Sequence, residues 1–423
     1  MNPEALFYPP AAGEHALLGL PHIMELAFRG VDLNPLRQQL LERAQRQPGN
    51  ANALMDLSTV MGVCFHEDLA RQLQGEALAV SRTYTLAASA SPRLRVLALM
   101  TPGSLMANIP IEFLLQGSDI SLDMLYLTMP LTPGVLDFPP HDVVCMAVCE
   151  APAAQPLLQT LAARRSEIHQ PMLNDPLRVL DLAREILWRL LHDSPGCLVP
   201  SSERVNRAAL LLLADGADLG AVLPGGTWPI ICRPLGSHAG HGLVRLAKRE
   251  DLRTHLDGTQ GEDFVISSFI AYASPDGQYR KMRIAVIGGK PYPVHMVLST
   301  RWLVHYLNGD MLDQPDNRAA ERAFFERFDT DFMQRHAAAL AVIDERLGLD
   351  YYSIDCAESQ DGRLLVFECD IGGVVHAMDP PDDFDYKRKP MLRLFEAFRE
   401  LLLRAARDPG CLKPRSPGCA DSP

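Results

Sequence analysis

The chain has no long apolar run and no long basic run. No stretch carries enough consecutive apolar residues to cross a bilayer, and the N-terminus lacks the basic, apolar and small-residue order of a secretion signal. Lysine and arginine number 40 against 52 aspartates and glutamates, for a net charge of −12. Nucleic acid and membranes are therefore not expected partners, and we predict a cytoplasmic protein.

Paired cysteines at the spacing of a metal site are also missing. The nine cysteines are scattered, several of them within apolar runs that contain Cys145, Cys149, Cys232 and Cys369. Such positions are typical of reduced core thiols in a cytosolic protein. A disulfide framework and a zinc site are both excluded as the basis of the fold.

The length and composition predict a globular protein of two or three domains. The 423 residues are 47% hydrophobic and 22% charged, which is ordinary for a globular protein. Residues 1–92 are predicted to form a helical module. Within it, small and apolar residues recur at the spacing of one tetratricopeptide unit, namely Leu54, Leu57, Ser58, Met61, Ala70 and Ala77. One unit is fewer than the three normally needed, so we expect this module to pack on its neighbour, and contact with a partner protein is left open.

Residues 93–198 are predicted to form a parallel α/β domain, because short apolar strands such as LRVLALM alternate with helical segments. Ligands of parallel sheets bind at the carboxyl ends of the strands. The turn after this strand therefore makes Ser104 and Asn108 candidate substrate contacts, with a plain turn as the alternative. Further along, residues 317–347 are predicted to form one long helix ended by Gly348.

The most informative stretch, DYYSIDCAESQDGRLLVFECDIGGVVH, spans residues 350–376 and predicts an acidic hairpin. Side chains alternate faces along a strand, so Glu368 and Asp370 point the same way, and closing the turn brings Asp355 near Glu368. Clustered carboxylates repel unless a cation lies between them. Oxygen ligands in this number suit Mg²⁺, with Mn²⁺ as the other candidate. Gly372 follows the hairpin, leaves the backbone without a side chain, and is a candidate substrate contact. The alternative is a solvated acidic surface.

A glycine loop precedes the hairpin, in the stretch PIICRPLGSHAGHGLVRL at residues 229–246. An apolar strand ends at Arg233, and small residues then let backbone N–H groups approach phosphate oxygens. The loop is neither a Walker loop nor a dinucleotide-binding loop. The candidate loop residues are Gly236, Ser237, His238, Gly240 and Gly242. A metal site made of His238 and His241 is the rival interpretation.

The order of these segments resembles the ATP-grasp superfamily, to which glutathione synthetase and D-alanine ligase belong. The stretches EDFVISSFI and YRKMRIAVIGGKPYPVHMVLSTRW lie between the glycine loop and the acidic hairpin. The resemblance spans residues 199–379 and extends back to about residue 93 through a pre-grasp domain. It implies a mixed α+β and α/β chain with a pre-grasp parallel domain, ATP-grasp domains over residues 199–408 and a flexible tail at 409–423.

The resemblance also implies roles for the nucleotide-binding residues. Arg233 stands where the family usually has lysine, and an upstream basic residue, Arg204 or Arg207, is expected as well. Ser268, Phe269 and Ile270 resemble the hinge whose backbone reads adenine. A core strand explains the last two equally well.

Other residues are assigned to the reacting groups. Lys281 and Arg283 share one face of a strand by alternation, and Arg283 matches the family arginine that binds the transferring phosphoryl group. Arg301 and Asn308 resemble further phosphate or substrate contacts, and His295 is the first histidine we assign to the substrate. The family commonly has asparagine at the position of Asp370, so the aspartate adds a negative charge.

The resemblance implies an ATP- and Mg²⁺-dependent ligase that joins a small carboxylate to an amine, within or between molecules, through an acyl phosphate. A small-molecule kinase and a nucleotide-binding module without turnover are the alternatives. A homodimer is left open.

Overall fold

The computed structural model describes residues 16–88, 91–131, 138–237, 240–305, 309 and 311–414. It divides into two compact units. The first contains the described residues up to Val179, Leu349–Tyr351 and those from Ile371 onward, and the second contains Leu180–Gly348 and Tyr352–Asp370. Helices and sheets occur in both, so the mixed α/β fold class is confirmed. The domain limits at residues 92, 198 and 408 stay predictions.

The first unit begins with four helices around a shared apolar core. They are α1 (Gly19–Phe28), α2 (Asn34–Arg46), α3 (Ala51–Val63) and α4 (Glu67–Val80). Ile23, Leu36, Leu40 and Val60 are fully buried among them. The side chain of Asn50 caps α3 by accepting a hydrogen bond from the N–H of Ala53 at 3.1 Å, which satisfies one free donor of the first turn. α3 and α4 cover the residues assigned to a tetratricopeptide-like unit, and that assignment stays a prediction.

A five-stranded sheet follows, in the order β1-β3-β2-β4-β5. Its strands are β1 (Thr83–Leu86), β2 (Leu94–Met100), β3 (Ile120–Tyr126), β4 (Val143–Met146) and β5 (Met172–Leu173). β2 to β5 run parallel and only β1 is antiparallel. The helices are α5 (Ile111–Leu115), α6 (Gln155–Ala163) and α7 (Pro176–Leu180). The parallel α/β arrangement predicted from residue 93 onward is therefore present.

The second unit contains two sheets. The first has the order β7-β10-β8-β9 and is antiparallel throughout. The helix α8 (Arg184–Leu191) and the strand β6 (Cys197–Leu198) precede this sheet in the chain. The strands of the sheet are β7 (Ser202–Asn206), β8 (Ile230–Pro234), β9 (Val244–Leu246) and β10 (Asp263–Ser268). Its helices are α9 (Arg207–Ala214) and α10 (Asp251–Gly258). Apolar residues of α9 and α10 pack on the buried side chains of β8 and β10.

The other sheet has the order β12-β11-β13-β14-β6. It consists of two antiparallel hairpins, β11 (Tyr279–Ile287) with β12 (Lys290–Ser299) and β13 (Tyr351–Glu358) with β14 (Leu364–Asp370), and β6 runs parallel to β14. β13 therefore lies between β11 and β14. This order places the basic strand and the acidic hairpin side by side.

The single long helix predicted for residues 317–347 was wrong. The segment forms α11 (Pro315–Arg327), a π-helical turn at Phe328–Phe332, the short α12 (Met333–Arg335) and α13 (Ala337–Leu347). The rings of Phe328 and Phe332 stack at 5.3 Å across the π turn, which interrupts the α-helical register. Gly348 ends α13 in the left-handed conformation, as expected.

The chain returns to the first unit with α14 (Pro381–Arg407). The ring of Phe398 lies 5.1 Å from that of Tyr351, and the guanidinium of Arg399 binds both carboxylate oxygens of Asp119 at 2.6 and 2.8 Å. Most of the predicted tail at 409–423 lies outside the described residues. Among those that are described, no helix combines the length and the apolar character that crossing a membrane requires.

Candidate functional site

The acidic hairpin forms as the sequence predicts, and its register depends on one irregularity in the ladder. Asp355 on β13 lies directly opposite Glu368 on β14, and Ser353 lies opposite Asp370. Opposed residues of an antiparallel pair project to the same face, with Cβ atoms about 5 Å apart. A bulge follows Asp355 in the ladder. The hairpin therefore places two carboxylates beside each other, with Asp370 next along the same face.

Asp355 is almost fully buried and is bound by two cations from the neighbouring strand β11. Its Oδ2 lies 2.7 Å from Nζ of Lys281, and Arg283 donates from Nε to Oδ1 at 2.7 Å and from Nη2 to Oδ2 at 3.0 Å. Burial opposes ionisation of Asp355, but the charges of Arg283 and Lys281 outweigh it and lower its pKa. The same pairing raises the pKa of Arg283 above its usual value against the effect of burial. Lys281 and Arg283 thus belong to the same cluster as the carboxylates.

Glu368 is bound by Arg184, a residue that the sequence reasoning did not single out. Arg184 is the first residue of α8, and its Nη2 donates to Oε2 of Glu368. Burial raises the pKa of Glu368, but Arg184, Lys281 and Arg233 offset that effect, and the net shift is downward. The sequence gives one indication that Arg184 has a role outside its helix. It is a basic residue at a helix N-terminus, where the helix dipole disfavours a cation.

Arg233 is the next-to-last residue of β8 and lies close enough to the hairpin for its charges to affect the pKa of the guanidinium. Burial and the nearby guanidinium of Arg184 lower the pKa of Arg233 to about 10, and Glu368 partly opposes them. Its Nε donates to Oγ of Ser237 at 3.1 Å, and that hydroxyl donates to the carbonyl of Pro234 at 2.8 Å. Arg233 is therefore oriented at the base of the glycine loop and beside Glu368.

The glycine loop is the connection of the β8–β9 hairpin, which places it as a flap. Gly236, Gly240 and Gly242 all have positive φ, a conformation that other residues adopt only with strain. A Cβ on Gly242 would lie 2.8 Å from Cδ of Pro234, whereas one on Gly236 would meet nothing. His238 lies outside the described residues. The backbone course is what the phosphate-loop prediction requires, and phosphate binding there stays a prediction.

The hinge residues lie where β10 ends. Oγ of Ser268 lies 2.7 Å from Oγ of Ser201, and the N–H groups of Ser268 and Phe269 donate to the carbonyls of Ser201 and Pro229. A backbone contact to adenine would therefore have to come from other groups of the hinge. The guanidinium of Arg245 lies 4.1 Å from the ring centroid of Phe269. Ile270 packs against a small core cluster with Tyr272 and Leu365.

The two arginines expected upstream have other partners. Arg207 donates to the carbonyls of Leu256, Thr259 and Gly261, which fixes the end of α10, and Arg204 pairs with Glu185 at 2.9 Å. Arg207 therefore has a structural role, and Arg184 is the upstream basic residue that reaches the carboxylates.

Two histidines of the second unit adjoin the cation cluster. His295 on β12 lies opposite Arg283 in the strand register. His305 is half-buried, and burial together with Lys281 and Arg283 lowers its pKa. Arg301 is exposed in the turn after β12, and Asn308 lies outside the described residues. Substrate roles for His295, Arg301 and Asn308 stay predictions.

The remaining substrate candidates lie in the first unit. Asn108 is buried, and its side chain accepts from the N–H of Thr101 at 2.7 Å and donates to the carbonyl of Thr101 at 2.8 Å. Oγ of the exposed Ser104 accepts from the N–H of Met106, and Gly372 is buried. Asn108 closes the loop after β2, which accounts for this residue without a ligand.

Two carboxylates of the site are of the kind and number that a hard divalent cation takes, and each is bound by cations of the chain. Mg²⁺ binds proteins through one or two carboxylates and takes its other ligands from water and phosphate. Asp355 and Glu368 supply two such carboxylates on one face. Within the described parts of the chain, no group of three or more histidine, cysteine, aspartate or glutamate side chains is arranged to bind a metal. Metal binding by Asp355, Glu368 and Asp370 stays a prediction.

The fold of the chain was compared with those of known proteins. No protein-family model and no curated protein matches the chain. The chain is similar to a D-alanine–D-alanine ligase from Bacillus anthracis complexed with ATP, at 13% identity over 74% of this chain and 99% of that chain, with a TM-score of 0.44. A RimK domain protein ATP-grasp from Sphaerobacter thermophilus shares 16% identity over 73% and 99% of the two chains (TM-score 0.40), and D-alanyl-alanine synthetase A from Vibrio cholerae shares 12% over 75% and 100% (0.45). The chain is similar in fold to these structures, and the likeness assigns it no substrate.

Proposed function

We propose that the chain is an ATP- and Mg²⁺-dependent carboxylate–amine ligase. The observation that carries the proposal is the pairing of Asp355 with Glu368 on one face, within reach of the basic residues Lys281, Arg283 and Arg233. Acidic oxygens and basic side chains gathered in this way suit a metal-bound polyphosphate, whose negative charge the basic residues neutralise.

The reaction would proceed in two transfers. A carboxylate oxygen of the substrate attacks the γ-phosphorus of ATP, the bond to the β-phosphate oxygen breaks, and ADP leaves. The amine then attacks the acyl carbon, inorganic phosphate leaves with the electron pair of the C–O bond, and the amine loses a proton. An amide or peptide bond is the product.

Different residues of the second unit would bind the phosphates, hold the metal ion and stabilise the transferring group. Arg233 and the backbone of the glycine flap would bind the phosphates, and Asp355 and Glu368 would hold the metal ion, which supplies charge neutralisation on the phosphate oxygens when bound. Lys281 and Arg283 would stabilise the transferring phosphoryl group. Because both cations already lie against Asp355, their positive charge is fixed in place before substrate arrives, so little reorganisation is needed.

Hydroxylamine trapping tests the proposal. The purified chain is incubated with ATP, Mg²⁺, hydroxylamine and a panel of amino acids and short peptides, and hydroxamate and ADP are both measured. A ligase forms hydroxamate because hydroxylamine intercepts the acyl phosphate. ADP released with an acceptor but without hydroxamate would indicate a kinase instead, and no ADP from any acceptor would overturn the proposal.

Two variants make this assay specific to the site. Glu368→Gln is expected to abolish both products while the protein stays folded. Asp361→Asn is the matched control, because Asp361 lies in the turn of the same hairpin and pairs with Arg363 on the surface. Near-normal turnover in Glu368→Gln would remove Glu368 from the metal site.

A further inference from the structure

Glu368, one of the two carboxylates assigned to the metal, is bound by a guanidinium of its own chain. The ion pair with Arg184 is only partly shielded, since the two side chains are 27% and 31% exposed. A partly exposed pair is held weakly and exchanges readily with other ions. A cation that enters this site must therefore compete with Arg184 for the same oxygens.

The position of Arg184 opposes the usual preference of helices. It is the first residue of α8, where unpaired N–H groups and the helix dipole favour anions over cations. Other charged residues of this helix pair with strand β7: Glu185 binds Arg204, and Arg189 binds Glu203. Arg184 instead reaches β14, which indicates that its position serves the carboxylate rather than the helix.

A second guanidinium lies near the same carboxylate. Arg233 senses both the repulsion of Arg184 and the attraction of Glu368. Arg184 binds Glu368 directly, whereas Arg233 donates to Ser237 and lies near enough to feel the charge of the carboxylate. Two guanidinium groups near one carboxylate have donors left for further anionic oxygens. A polyphosphate is such a ligand, since arginine binds phosphate with short, charge-assisted hydrogen bonds.

We infer that Arg184 is an internal counter-ion that occupies Glu368 in the free protein and moves to nucleotide phosphate when a metal–nucleotide complex binds. The inference rests on the proposed function and adds a regulatory step to it. In the free protein Arg184 lowers the affinity of Glu368 for a divalent cation. With nucleotide present, Arg184 gains a new partner and the carboxylate becomes available. Metal affinity is therefore coupled to nucleotide occupancy, and by linkage nucleotide affinity depends on the metal to the same degree.

Manganese binding measures this coupling without turnover. Free Mn²⁺ is followed by electron paramagnetic resonance during titration of the full chain, first alone and then with saturating ADP. Wild type is expected to bind Mn²⁺ weakly alone and more tightly with ADP. Arg184→Gln should bind Mn²⁺ about tenfold more tightly in the absence of nucleotide, within the usual range of coupling between sites, so that ADP adds less.

Two further variants separate the effect of this charge from general damage. Arg189→Gln removes a cation from the same helix but from a pair with Glu203, so its Mn²⁺ affinities should equal those of wild type. Arg184→Lys keeps the charge and should restore most of the dependence on ADP. Thermal unfolding of each variant confirms that it is folded.

The outcomes distinguish this inference from the proposed function. If ADP promotes Mn²⁺ binding equally in wild type and Arg184→Gln, the counter-ion role is overturned while the nucleotide site stands. If Arg189→Gln behaves like Arg184→Gln, the effect is one of overall charge and the inference also fails. If no form binds Mn²⁺ with ADP, both the inference and the proposed function are wrong.

Discussion

Replacing Asp355 by asparagine should destabilise the protein, although the change removes one of several neighbouring carboxylates. Asp355 is 3% exposed, and it neutralises Lys281 and Arg283, whose side chains are 21% and 19% exposed. Asparagine leaves two largely buried cations without that charge. If the carboxylates mainly repelled each other in the metal-free protein, the same change would instead be stabilising.

The size of the effect follows from the burial of the three side chains. Breaking a buried ion pair by removing one partner costs about 3–5 kcal/mol. Water reaches roughly a fifth of each cation and relieves part of that cost, so we expect about 2–3 kcal/mol. For a unit in the size range of 150–250 residues this corresponds to roughly a 4–12 °C lower Tm.

The assay is thermal and urea unfolding in the absence of divalent cations and nucleotide. Asp361→Asn, which breaks an exposed pair in the same hairpin, serves as the control and should leave the Tm unchanged. Adding Lys281→Met to Asp355→Asn should recover part of the loss, because the double variant no longer buries the lysine charge. A Tm for Asp355→Asn equal to or above that of wild type would refute the ion-pair account of this cluster.

Three further outcomes are expected. Arg283→Ala should lower kcat about 100-fold and change nucleotide affinity much less, because the side chain is assigned to the transferring phosphoryl group. Equal losses of kcat and of nucleotide affinity in steady-state kinetics would reassign Arg283 to ground-state binding. Gly242→Ala should weaken nucleotide binding more than Gly236→Ala. Both glycines have positive φ, but only a Cβ on residue 242 would lie against Pro234. Calorimetry that finds the larger loss of affinity in Gly236→Ala would contradict the flap geometry. Burial raises the pKa of Glu112 from 4.5 to about 7, so the folded state keeps a proton that the unfolded state loses, and stability should fall as pH rises across that interval. Glu112→Gln should flatten this part of a pH series of urea unfolding curves, and an unchanged slope would show that Glu112 ionises normally.

Part of the local geometry of the site was predictable because it depends on short-range rules. The turn at Ser359–Gly362 predicts the hairpin itself. Regular pairing from Glu358 and Leu364 would place Asp355 opposite Phe367, and the bulge after Asp355 is what brings it opposite Glu368. Alternation of side chains places Lys281 and Arg283 on one face of β11. The loop between β8 and β9 was predicted from its small residues, and three of its glycines have positive φ.

The contacts between distant segments could not be predicted in the same way. Arg184 and Glu368 are 184 residues apart, and no periodicity or spacing relates α8 to β14. The order of strands that places β11 beside β13 depends on tertiary packing, so the bond from Arg283 to Asp355 was not foreseen. A helical pattern of apolar residues does not reveal the π turn at Phe328–Phe332, across which the two rings stack.

The most direct test of the account is a calorimetric titration of the chain with a non-hydrolysable ATP analogue, with and without Mg²⁺. We expect one nucleotide per chain when Mg²⁺ is present, much weaker binding in its absence, and loss of the magnesium dependence in Glu368→Gln. Binding that is equally strong with and without Mg²⁺, or a Glu368→Gln variant that responds to Mg²⁺ as wild type does, would contradict a metal–nucleotide site at Asp355 and Glu368.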